Sequence, residues 1–385
     1  MWRKTASKYS LRAIHSTSKC LTTGEKKVWS ELSSRSSSLS IKNAKIKKSL
    51  FEGGKPETIV NIERKAAYYS PVDIDKTFQL AYDELARVSG DKYALVDELK
   101  SQLTSETDTE IKAQLEKKLN KALVDAEIYN PEVLYNFEYD SELIDASQPV
   151  YRKLLHDKWK SHDLMVLMQR LEQLHVIPDT LPTLEPKVEV KVKFPHNTKS
   201  EFSSWIVPGT VLPAFAVCKP PTIEITLFDE TAVTDDSNSS SLYTVVLVNP
   251  DEPDLSTNSF TTKLHYGLSN VPLSHTDNQI DSGKLLTDGE EFTFSSYIPI
   301  LPEKNAQIQR ACLWVFRQNE PLTIKSCERE SFNIREFAAI HNLTPVGAHV
   351  WRQTFDRSVN AIREQYHLPR GRVFHRVRRT DPYMG

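Results

Sequence analysis

The chain changes rhythm at Pro178, and that change constrains its fold more than any other feature. Before it, apolar residues recur at helical spacing. After it, Pro182, Pro186, Pro195, Pro208, Pro213, Pro220 and Pro221 punctuate short runs with a period of two. Proline lacks an N–H donor and breaks helix interiors, so a segment interrupted this often is left with short strands and turns. Val188-Glu189-Val190-Lys191-Val192-Lys193-Phe194 alternates apolar with charged residues, the pattern of a strand with one buried face. Ile223-Glu224-Ile225-Thr226-Leu227 repeats it. Leu242 to Val248, broken only by Thr244, has no polar face and fits a strand buried on both sides. More strands are expected near 263–271, 291–300 and 310–317, followed by helices over Phe332–His341 and Val350–Tyr366. The fold class is α+β, mainly β, with a helical arm in front and helices at the C-terminal end.

The arm spans 75–180. Ser105 and Asp108 resemble a helix start, and Ile111, Leu115, Leu119 and Leu123 recur every four residues behind them. Glu110, Lys112, Gln114, Lys117 and Lys121 make the opposite, solvated face. Leu164, Leu167, Met168, Leu171 and Leu174 form a second apolar stripe that Pro178 stops. The pairs His156–Asp157 and His162–Asp163 have no further ligand at helical spacing, so they read as solvated or capping groups. Cys20, Cys218, Cys312 and Cys327 match no metal-binding spacing, and neither disulfide, metal nor cofactor is expected. No run approaches the ~20 apolar residues of a membrane span.

Composition enters through charge. The formal net charge of −2 is the sum of +10 over residues 1–50, −16 over 51–362 and +4 over 363–385. An acidic body with two basic ends points to a polyanion or an import machinery as partner. Residues 1–24 carry five Lys/Arg, eight Ser/Thr and no acid, the composition of a mitochondrial presequence, which makes the matrix the expected compartment. Residues 25–74 read as a basic, Ser-rich linker. At the other end, 367–385 holds Arg370, Arg372, Arg376, Arg378 and Arg379, with Phe374 among them. Guanidinium forks bind phosphates and stack on bases, and aromatic rings stack on unpaired ones, so this tail is the expected RNA contact. Lys45, Lys47 and Lys48 form a second, more diffuse candidate.

The segment Val248-Asn249-Pro250-Asp251-Glu252-Pro253 resembles the phosphatidylethanolamine-binding protein family, whose signature is a strand ending in Asp-Pro-Asp-x-Pro. Leu264-His265-Tyr266-Gly267 is similar to the family's Trp-His-His strand, and Gln309-Arg310 stands where the family has His-Arg. Pro345-Val346-Gly347-Ala348 and Phe355-Asp356 resemble the lead-in to its last helix. The resemblance covers about 185–366 and implies an antiparallel β-sheet domain with a small anion pocket. Carried over, the pocket would comprise Asn249, Pro250, Asp251, Pro253, His265, Gln309 and Arg310. The family's first Asp is Asn249, its later His is Gln309, and the Tyr beside it is Ala311. Losing charge-assisted bonds at about 1.5–3 kcal/mol each would abolish useful anion affinity. The pocket is therefore expected to be vestigial, with Asp251 and His265 as a structural polar pair.

Presequence, helical additions, decayed pocket and Arg tail together resemble the family's mitochondrial ribosomal branch. That implies a structural role in the large subunit at its central protuberance, with large-subunit rRNA and other mitochondrial ribosomal proteins as partners. No small-molecule substrate is expected. The alternative is a mitochondrial phospholipid- or phosphate-binding regulator, which needs the intact pocket. No Gly-x-Ser-x-Gly, His-Glu-x-x-His or phosphate-binding Gly-Lys-Ser/Thr pattern occurs, so no catalytic residue and no enzyme activity are expected.

Overall fold

The computed structural model of the protein describes residues 44, 73–106, 108–139, 144–195, 203–228, 241–281, 292–324 and 327–375. The expected presequence, Lys45, Lys47, Lys48, Arg376, Arg378 and Arg379 lie outside them. The chain forms two compact units, Met1–Leu154 and Leu155–Gly385.

In the first unit, α1 (Ile74–Ser105) and α2 (Thr109–Glu127) form a hairpin. The expected helix start falls at Asp108, whose carboxylate accepts the Glu110 N–H at 3.1 Å. Leu115, Leu119 and Leu123 pack with Val96, Leu99 and Ala122, while Ile111 stays exposed. α3 (Pro131–Tyr139) begins with Pro at its first position, behind Asn130, whose carboxamide oxygen accepts from the Glu132 N–H at 3.0 Å. Val133, Val150 and Tyr151 make its small core. α4 (Pro149–Lys158) carries the chain into the second unit.

The second unit holds two sheets. β1 (Val188–Lys193), β3 (Thr222–Leu227) and β6 (Gln279–Ile280) form the smaller, in the order β1-β3-β6. The larger has the order β2-β9-β8-β4-β5-β7, from β2 (Val211–Pro213), β4 (Ser241–Asp254), β5 (Ser259–Leu273), β7 (Thr293–Ser295), β8 (Gln309–Arg317) and β9 (Thr344–Thr354). Its pairs are antiparallel except β2 with β9, which is parallel. Val188, Val190, Val192, Ile223 and Ile225 pack across the two sheets against Val245, Leu247, Leu313 and Trp351. The reverse face of the large sheet buries Val246, Val248, Trp314 and Val350 against Leu167 and Leu171 of α5 (Leu164–Gln173) and Phe337 of α6 (Ile334–Ile340). β4 is therefore apolar on both faces because both faces are covered.

Three sequence expectations need correction. Val350–Tyr366 is not one helix: β9 runs to Thr354, and only α7 (Val359–Gln365) is helical. A bulge at Val346 shifts the β8–β9 register, so Val346 and Trp351 reach one core while Ala348 and Val350 reach the other. That two-sided burial erased the alternation which marks a strand. The strand expected over 291–300 is only Thr293–Ser295, since Pro299 withdraws a ladder donor just beyond it. The charged face of β1 is also not fully solvated: Glu189 is buried beside Lys191 at 3.1 Å, and burial raises its carboxyl pKa.

Candidate functional site

The site lies where β4 leaves β8. Pairing between them stops at Val248–Cys312, and β4 then runs beside β5 alone. Pro250 and Pro253 supply no N–H, so this stretch could not have continued both ladders. Asn249 turns the chain, its carboxamide oxygen accepting from the Asp251 N–H at 3.0 Å. Its amide donates to Gln309 Oε1 and Glu252 Oε2, both at 3.2 Å. Asp251 then takes the place of the missing ladder partner. Its carboxylate accepts the Arg310 backbone N–H at 2.8 Å, Nε at 2.9 Å and Nη2 at 2.6 Å.

The guanidinium is engaged on its other side as well. Nη1 donates to Leu174 O at 2.7 Å, to His175 O at 3.1 Å and to Asp179 Oδ2 at 2.8 Å. Arg310 thus ties the loop after α5 to the end of β4, and its pKa is raised, chiefly by the Asp251 hydrogen bonds. Arg335 of α6 holds the same loop through Thr180 O at 2.8 Å and through Pro178 O. The bonds to Arg310 engage four of its five guanidinium N–H groups, and both carboxylates would compete with any external anion for Arg310.

His265 stands apart. Its Nδ1 bonds Ile298 O at 2.9 Å, and desolvation drives its pKa down to about 3, so the ring is neutral. The expected Asp251–His265 pair does not form: Asp251 holds Arg310, and His265 holds a backbone carbonyl. Tyr297 spends its hydroxyl on Val217 O at 2.6 Å.

A cleft of about 840 Å³ opens beside Arg310. Asp251, Pro253, Gln309 and Arg310 line it, whereas Asn249, Pro250 and His265 do not. Sequence reasoning missed Asp179, Arg352 and the Leu174–His175 turn on its wall. Nothing local marks them, since Asp179 is 131 residues from its partner. Phe374 also lines the cleft, and its backbone is fastened there. Phe374 N donates to Lys304 O at 3.0 Å, and Asn305 Nδ2 donates to Phe374 O at 2.8 Å. Leu368 packs beside Val359 and Ile362, so 368–374 is a strap held at both ends, with Arg370 and Arg372 exposed between.

Among the described residues no group of His, Cys, Asp or Glu could hold a metal, and no helix is long and apolar enough to cross a membrane. Cys218, Cys312 and Cys327 are free thiols.

The fold defines a phosphatidylethanolamine-binding-type domain, and its Arg310 is paired with the chain's own Asp251 and Asp179. The sequence profile of the phosphatidylethanolamine-binding protein family matches residues 202–352. The large ribosomal subunit protein mL38 of Schizosaccharomyces pombe is 31% identical over 242 residues, spanning 62% of this chain and 71% of the relative. The chain belongs to that mL38 family. Similar solved structures include carboxypeptidase Y inhibitor in complex with its cognate proteinase, at 16% identity, TM-score 0.38, covering 51% of this chain and 99% of that one. The phosphatidylethanolamine-binding protein from Plasmodium vivax is 15% identical, with TM-score 0.34 and coverages of 49% and 97%.

Proposed function

We propose that this protein is a structural constituent of the mitochondrial large ribosomal subunit, working in the matrix without catalytic activity. The observation that carries this reading is the 31% identity to the large-subunit protein mL38. The site agrees with it, since Asp251 and Asp179 pair with the Arg310 guanidinium where the family resemblance implies an anion pocket. The partners are large-subunit rRNA and other mitochondrial ribosomal proteins, at the central protuberance. Arg370 and Arg372 on the strap meet RNA phosphates, and the arginines at 376, 378 and 379 and the lysines at 45, 47 and 48 extend that contact. Phe374, which also lines the cleft, is the aromatic residue of this contact.

Sucrose-gradient fractionation of a mitochondrial lysate tests the assignment. The protein is expected with the large subunit after a moderate-salt wash. A free monomer at the top of the gradient overturns it. The rival reading, a phosphate-binding regulator, requires ligand oxygens to compete with the two carboxylates already paired with Arg310. Inorganic phosphate titrated against the protein is expected to leave the NMR resonances around Arg310 unmoved at micromolar concentration.

A further inference from the structure

The cleft beside Arg310 is open, although Arg310 itself is paired with carboxylates of this chain, and its lining suits an occupant other than a small anion. Three carboxylates face it, Asp179, Asp251 and Asp254, against the guanidinium groups of Arg310 and Arg352. Arg310 lies between the first two carboxylates, and Arg352 Nε donates to Gly209 O at 2.9 Å. Asp254 is held instead by the hydroxyls of Ser256 and Thr257, both at 2.6 Å, which keep its carboxyl near pKa 2 and so ionised. Large apolar side chains stand exposed on the same wall: Leu255 at 57%, Phe260 at 60% and Ile308 at 49%. A cleft with acidic and apolar walls favours a segment that carries both arginines and apolar residues.

We propose that the occupant is this chain's own C-terminal segment, residues 376–385, docked in the cleft when the protein is not on the ribosome. The strap delivers that segment to the spot, since Phe374 forms part of the cleft wall and is pinned to Lys304 and Asn305. Beyond His375 lie Arg376-Val377-Arg378-Arg379-Thr380-Asp381-Pro382-Tyr383-Met384-Gly385. Ten extended residues reach roughly 33 Å, ample to cross the opening. Three arginines face the ionised Asp254 and its neighbours, and Val377, Tyr383 and Met384 meet Leu255, Phe260 and Ile308. Tethering decides between this segment and a similar one from another protein. A short tether presents its own segment at an effective concentration on the order of millimolar, above that of any free competitor. rRNA is the denser polyanion, so assembly draws the same arginines out of the cleft. The docking itself stands apart from the ribosomal assignment, and its failure leaves the gradient result untouched.

A fluorescently labelled peptide with the sequence of residues 376–385 tests this by anisotropy against full-length protein. The wild type, its cleft filled, is compared with a full-length variant carrying Arg376→Ser, Arg378→Ser, Arg379→Ser and Tyr383→Ser. The variant is expected to bind the peptide at least about tenfold more tightly than wild type, because the tethered competitor is gone. Adding Asp254→Asn and Phe260→Ser to the variant is expected to remove that gain, with an unchanged melting temperature showing the fold intact. Equal binding to wild type and variant, or binding to neither, overturns the proposal and leaves the arginines to RNA alone. A gain that survives the two cleft substitutions also overturns it, because the segment then docks elsewhere.

Discussion

Arg310 is the centre of the polar cluster at the end of β4. Its guanidinium is largely buried between two carboxylates, so removing it leaves Asp251 and Asp179 facing each other without a cation. Arg310→Met is expected to cost about 3–5 kcal/mol in urea unfolding, and combining it with Asp251→Asn is expected to recover part of that loss. Equal stability of wild type and Arg310→Met would mean the pair is ornamental. The buried histidines give the fold a pH dependence. Desolvation lowers His265 to about 3 and His349 to about 4, against an ordinary value near 6.5. An imidazole that is neutral in the fold and protonated when unfolded takes up a proton on unfolding throughout that window. Stability present above about pH 6.5 is therefore lost as pH falls toward 4. Buried Glu189 and partly exposed Glu252, whose pKa values are raised chiefly by desolvation, act in the opposite sense and temper the slope. Melting temperature followed from pH 7 to 4.5 is expected to fall, and more steeply in wild type than in His349→Gln. A flat profile would contradict the burial of these rings as neutral groups.

At the level of elements, β5 shows how closely the layers approach. A Cβ on Gly267 would lie 2.3 Å from the Phe294 ring, which stacks on Phe337 of α6 at 5.7 Å between centroids. Gly267→Ala is expected to destabilise by about 1–3 kcal/mol through forced displacement of that ring. Phe294→Leu in the same chain should restore much of it, and additive losses in a double-mutant cycle would rule the clash out. Strand β4 was legible because seven consecutive positions lack a polar face, and β1 because its charges alternate. β9 was not legible. Its bulge sends Val346 to one core and Ala348 to the other, so neither a period of two nor of 3.6 survives in the string. The short β2 pairs in parallel with β9, a partner about 140 residues away in register Val211–Arg352, and no local signal announces such a pairing.

Across the whole molecule, charge is segregated: basic ends flank an acidic body, and the proposed RNA partner would be met by patches against the average. Deleting 368–385 would be an ambiguous test of the tail, because Leu368 packs with Val359 and Ile362 and its loss would loosen the fold. Arg370→Ser with Arg372→Ser avoids this, since both side chains are exposed. The pair is expected to leave the melting temperature unchanged while lowering co-sedimentation with the large subunit as salt rises. Wild-type retention in the gradient would remove these two residues from the RNA contact. By itself the sequence determined the two-part plan, the strand rich in buried residues, the loss of the family's pocket groups and the basic tail, because each is written in neighbouring residues. Only the tertiary structure decided that Asp251 and Asp179 would claim Arg310, that His265 would turn away from the cleft, and that Phe374 would wall it. Those outcomes depend on groups 59 and 131 residues from Arg310, and on 33 between His265 and Ile298, brought together by sheet pairing that no local pattern encodes.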